Sequence, residues 1–202
     1  MDIAVKKFQG NYHHFTIPVE CTDSKKLFTC SDVHFDNPKC DRDLFLKHMD
    51  RAIKEDAMIM ITGDLFCLMN GKYDPRRSKS AVRPEHNVEN YLDMVINDTA
   101  DKFLPYAKNI LIVTKGNHET AVSNNMETDV MVRFVERLNA LAGTNIQVGE
   151  YTGYFTLQFK CGNDRKAINV GYSHGNWGGV SMCQRLHPRL LHYSASPLSF
   201  KP

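Results

Sequence analysis

The 202-residue chain carries 25 basic and 23 acidic residues, a formal net charge of +2, with 42% hydrophobic and 24% charged residues. These values suit one globular domain with a real core. No stretch approaches the ~20 apolar residues of a membrane span, and "MDIAVKKFQGNYHHF" is too polar for a signal peptide. A cytoplasmic protein with no membrane partner is expected. Cysteines 21, 30, 40, 67, 161 and 183 show no CxxC pair and no regular spacing, so reduced thiols are expected rather than a disulfide framework.

In chain order, "LFTC" at 27–30 is the first of three short apolar runs that predict strands buried on both faces. Leu46, Met49 and Ile53 share one face of a helix predicted over 41–55. "MIMI" at 58–61 is the second run. Residues 71–86 then concentrate positive charge: Lys72, Arg76, Arg77, Lys79 and Arg83 stand against Asp74 and Glu85, leaving the remainder of the chain slightly negative. Val88, Tyr91, Leu92, Val95, Ile96 and Phe103 mark a second helix over 85–104, and "ILIV" at 110–113 a third buried strand. Val130, Met131, Phe134, Val135, Leu138 and Leu141 mark a third helix, closed by Gly143 as its C-terminal cap. Beyond it, "NIQVGEYTGYFTLQFKCGNDRKAINVGYSHG" alternates, with turn signals at Gly149, Gly153 and "CGND", and predicts consecutive antiparallel strands. Residues 181–202 hold three of the eight prolines, no acidic residue and no periodicity, an atypical tail.

Each apolar run ends in polar residues of metal-binding type. "LFTC" leads to Asp32-Val33-His34, "MIMI" to Gly63-Asp64, "ILIV" to Gly116-Asn117-His118-Glu119, and "AINVGY" to Ser173-His174. In open α/β sheets, ligands collect beyond the carboxyl ends of strands. Four strands delivering these groups to one edge would build one site. Mixed carboxylate and imidazole donors suit Mn, Fe or Zn rather than oxygen-only cages. In Asp-x-His, both side chains leave an extended segment in one direction and reach one ion. Glycines before Asp64 and Asn117 permit sharp turns at the sheet edge.

These motifs, in this order, resemble those of the calcineurin-like metallophosphoesterases. The resemblance covers about residues 27–176 of a single domain spanning 1–202, with a basic insertion at about 66–86. It implies an α/β fold, a four-layer α/β/β/α sandwich, and two divalent metal ions, Mn first among them, with Fe or Zn as alternatives. It further implies that Asp32 and His34 bind the first ion, that Asp64 bridges, and that Asn117 and His174 bind the second. His118 would contact phosphate and protonate the leaving alkoxide, with Glu119 as the acidic neighbour that orients it or holds it cationic. The implied activity is hydrolysis of phosphate mono- or diesters by metal-activated hydroxide. Arg76 and Arg77 are the expected substrate contacts, and the basic insertion suggests nucleic acid as partner, as in phage and bacterial nuclease-like relatives.

The family pattern continues to a Gly-His-x-His segment that this sequence lacks. His187 and His192 are spaced His-x4-His, with Pro188 between them. The expectation is therefore an incomplete copy, truncated or shifted in reading frame near residue 180. A non-catalytic binding scaffold is the competing reading.

Overall fold

A computed structural model describes residues 3–8, 12–68 and 82–175. Lys72, Arg76, Arg77 and Lys79, and the tail with His187 and His192, lie outside the described residues.

The eight described strands form two four-stranded sheets. The first has the order β1 (Ala4–Lys7), β2 (Tyr12–Pro18), β7 (Thr152–Cys161), β8 (Asp164–Ser173). The second has the order β3 (Leu27–Cys30), β4 (Met58–Thr62), β5 (Ile110–Thr114), β6 (Gln147–Gly149), all parallel. The apolar runs form their strands as predicted, with one correction. β3 is only half-buried because it is an edge strand. The stretch after Gly143 is also corrected. β7 and β8 pair antiparallel, but β6 joins the other sheet in parallel beside β5. Residues 147–149 are too few for their alternation to identify a partner.

Period-2 alternation divides the core. In β4, Ile59 and Ile61 face the helices, whereas Met58 and Met60 face the first sheet. A bulge in β5 skips Leu111 in the pairing, and Leu111 and Ile112 both join the inter-sheet core with Phe15, Ile17, Phe155, Leu157 and Phe159. Four helices cover the other face of the second sheet: α1 (Arg42–Lys54), α2 (Tyr91–Phe103), α3 (Asn117–Met126) and α4 (Val130–Ala142). Asp41 caps α1 through Leu44 N, Asp129 caps α4 through Val132 N, and Gly143 closes α4 at φ +64°. The second helix begins later than its periodicity suggests. Pro84–His86 forms a separate 3-10 turn, tied down by His86, and Val88 is left exposed. The architecture is the expected α/β fold with two packed sheets. Its described residues form helix, sheet and sheet layers.

The expectation of six free thiols is overturned, because Cys21 and Cys161 form a disulfide with Cα atoms 5.5 Å apart. β2 and β7 run in parallel with Pro18 opposite Lys160, and Val19 N donates to Lys160 O. That pairing carries two cysteines 140 residues apart to the same strand ends, which spacing along the chain does not reveal. Cross-links of this kind persist in oxidising surroundings.

Candidate metal centre

The carboxyl ends of β3, β4, β5 and β8 meet. Backbone bonds lace the loops beyond the strands: Asp32 N to Gly63 O (3.2 Å), His34 N to Asp64 O (3.0 Å), Gly63 N to Thr114 O (3.1 Å) and Lys115 N to Gly149 O (3.1 Å). β8 is tied in by His174 N to Tyr151 O at 3.0 Å.

Local backbone conformation, rather than strand-like extension, aims the ligands. Asp32 and His34 have φ of 55° and 46°, so the extended Asp-x-His expected from sequence is corrected to two left-handed residues around Val33. Asp64 is left-handed as well, at φ 49°. Non-glycine residues held in this region store strain, and such residues cluster at functional sites. Ligand atoms of Asp32, His34 and Asp64 lie within 4.8 Å of one another.

Asp64 is the hub. It is 3% exposed; its Oδ1 accepts His118 N at 3.0 Å, and its Oδ2 stands 3.4 Å from His174 Nε2 and 3.9 Å from His118 Nε2. His174 Nδ1 bonds to Thr62 O at 3.0 Å, which directs Nε2 toward Asp64. A ring nitrogen donating to a backbone carbonyl while the other faces inward is the arrangement of a metal-ligating histidine. His34 Nδ1 is buried with no hydrogen-bond partner, a second sign that the site suits a cation. The carboxylate and imidazole donors thus fit divalent metal. Asn117 opens α3 at the exposed rim.

Both site glycines are required for space. At Gly63 (φ +71°) a Cβ would overlap the His174 ring and lie 2.9 Å from Gly116 Cα. At Gly116 it would overlap Asp64 N and Oδ1. Gly116 itself is extended, so close approach rather than a special turn dictates glycine there.

His118 and Glu119 separate sharply. His118 Nδ1 bonds to Cys67 O at 2.6 Å, and its ring sits edge-on to His34 at 4.8 Å between centroids. Glu119 is fully buried, and its carboxylate accepts backbone amides: Phe66 at 2.9 Å through Oε1, and Gly116 at 2.9 Å and Asp64 at 3.2 Å through Oε2. Burial pushes its carboxyl up to about 7, against the downward pull of the Phe66 and Gly116 amides. These bonds hold the Asp64 loop to the start of α3, in place of the expected contact with the His118 ring.

Asp36, unremarked in the sequence, does the same from the other side. It is 2% exposed and accepts Cys67 N (2.5 Å), Leu68 N (2.9 Å) and the Tyr91 hydroxyl (3.1 Å). Burial and then the Asp36 charge drive the Tyr91 phenol far above its usual range. Within "FDNP" it reads as an ordinary turn residue, and nothing local marks it. Tyr151 is a further neighbour, edge-on to His174 at 5.3 Å and bonded to Gly175 O. Of the basic cluster, Arg83 is described, and it is structural, donating to Cys40 O at 2.9 Å. A separate group, Glu85, His86 and Asp98, also lies within ligating distance, but Arg42 already fills it with ion pairs to Asp98 (2.9 Å) and Glu85 (3.6 Å).

No described helix is long and apolar enough to cross a membrane. No curated protein and no solved structure matches the chain. The family model for the calcineurin-like phosphoesterases matches residues 25–188, spanning every strand end that contributes to the site and running into the atypical tail. The chain belongs to the calcineurin-like phosphoesterase family, whose members are metal-dependent hydrolases of phosphate esters.

Proposed function

We propose that this chain hydrolyses phosphate esters at a centre of two divalent ions, manganese by preference. The observation that carries the reading is the convergence on one buried carboxylate, Asp64, of Asp32, His34 and the His174 imidazole, groups that come from three separate strand ends. Asp32 and His34 would hold the first ion, Asp64 would serve as a ligand to both, and Asn117 and His174 would hold the second. Bound divalent ions supply Lewis-acid activation of the phosphate and of the attacking water.

The remaining work falls to protein groups. His118 anchors its Nδ1 on Cys67 O and presents Nε2 to the substrate, where a proton delivered to the departing alkoxide contributes roughly 10²–10⁴-fold. Glu119 and Asp36 act as positioning residues, fixing backbone amides of residues 64–68 so that Asp64 and the Cys67 carbonyl keep their places. The basic segment 71–86 favours a polyanionic substrate, nucleic acid included, with Arg76 and Arg77 as its contacts.

The test is manganese-dependent hydrolysis of bis(p-nitrophenyl) phosphate and of p-nitrophenyl phosphate, beside an Asp64→Ala control. Activity on either ester that disappears in the control is expected. A folded wild-type protein inactive at every metal concentration would leave a binding scaffold as the better reading. Single-stranded DNA as competitor reports on the polyanion preference.

A further inference from the structure

Cys67, three residues beyond Asp64, is 6% exposed. Its Sγ and one ring nitrogen each of His34 and His118 lie within 4.8 Å of one another. Ligands at ~2.0–2.3 Å from a tetrahedral ion stand roughly 3.5 Å apart, so small side-chain rotations close this set around one cation.

Several features present these three groups as ligands. Cys67 is pinned on both sides of its Cα, its amide bonded to Asp36 and its carbonyl to His118 Nδ1. The second bond leaves Nε2 as the ligating atom of His118, with the carbonyl setting its tautomer. Asn37 Nδ2 donates to Cys67 Sγ at 3.2 Å, a contact that supports negative charge on sulfur. His34 Nδ1, buried and unpartnered, supplies the orphan donor atom that such a set needs.

We propose that His34, Cys67 and His118 form a separate site for a thiophilic divalent cation, Zn²⁺ or Co²⁺, sharing His34 with the carboxylate site. One thiolate and two imidazoles favour these ions over Mn²⁺ or Mg²⁺. On binding, the thiol proton passes to solvent and no electron moves. An ion held here draws His34 from Asp32 and Asp64 and occupies Nε2 of His118, so it opposes the hydrolysis proposed above. The site itself does not depend on that reading.

The experiment titrates metal-free protein, without thiol reductant, with Co²⁺ and records thiolate-to-cobalt charge transfer in the near ultraviolet. A saturable band is expected, bleached by Zn²⁺, absent in Cys67→Ser, and retained in Cys30→Ser, Cys40→Ser and Cys183→Ser. His118→Ala should weaken Co²⁺ binding at least tenfold. Cys67→Ala replaces the serine variant if circular dichroism shows the latter unfolded. No band in wild-type protein at saturating cobalt, or a band that survives loss of Cys67, overturns the proposal. Manganese-dependent ester hydrolysis is measured on the same preparations, so a missing band with intact hydrolysis removes the sulfur site alone.

Discussion

Replacing Glu119 with alanine separates the two roles open to this residue. The carboxylate satisfies three backbone amides, those of Asp64, Phe66 and Gly116, inside the protein. Each amide stranded without a partner costs about 1–3 kcal/mol. Water entering the vacated space recovers part of that, so a loss of about 3–5 kcal/mol is expected. For a chain of this size that lowers the melting temperature by roughly 10 °C. Glu119→Gln is the graded control. With its carbonyl in the place of Oε2 it keeps the Asp64 and Gly116 amides and turns its NH₂ on Phe66 N, a loss of about 1–3 kcal/mol. The assay is urea unfolding followed by circular dichroism in EDTA, with manganese-dependent hydrolysis measured in parallel. A Glu119→Ala protein within about 1 kcal/mol of wild type in stability, yet a hundredfold slower, would refute the reasoning. That result would return Glu119 to a chemical role beside His118.

Gly116→Ala forces its Cβ into Asp64 N and Oδ1, so manganese affinity measured by calorimetry should fall at least tenfold while the far-ultraviolet spectrum is kept; unchanged affinity would contradict the placement of Asp64. Thiol titration in denaturant should gain two thiols after reduction. The Cys21–Cys161 link closes a loop of 140 residues, worth about 5 kcal/mol in the chain-entropy model and typically nearer 2–4, so a reductant that leaves the melting temperature unmoved would argue against the bond. Burial alone would raise the Asp98 carboxyl, but the His86 hydrogen bond and the Arg42 and Lys102 charges outweigh it and hold it at about 2. A depressed carboxyl stabilises the fold above its unfolded value near 4 and loses that contribution as pH falls through 2. Discounted for partial exposure, Asp98→Asn should be about 1 kcal/mol less stable than wild type at pH 7, with the gap narrowing between pH 4 and pH 2; a constant gap would show that charge is not the cause.

Local signals carried much of the site. Buried strands announce themselves as apolar runs, and Asp32, His34, Asp64 and His174, which meet at the strand ends, are legible because the chain must turn there and polar residues interrupt an apolar pattern, whereas Asn117 stands at the exposed rim. The strands β1 and β2 carry no such signal, although Phe15 and Ile17 alternate in "YHHFTIP", because no continuous apolar run accompanies them. α3 is equally unmarked, since "NHETAVSNNM" buries only Glu119 and Val122 and offers no apolar stripe.

The sequence by itself therefore determined the strands of its three apolar runs, three of the four described helices, the order of the motifs and the family to which they belong. Tertiary structure alone decided what each motif's neighbours would be. Glu119 adjoins His118 in the chain yet bonds amides 53 and 55 residues away, Asp36 reaches 31 residues to Cys67, and Cys21 reaches 140 to Cys161. Periodicity reports which face of an element is apolar, a property of consecutive residues. Which buried amide lacks a partner, and which carboxylate or thiol lies close enough to meet it, follows from parallel strand pairing between distant segments and leaves no local trace.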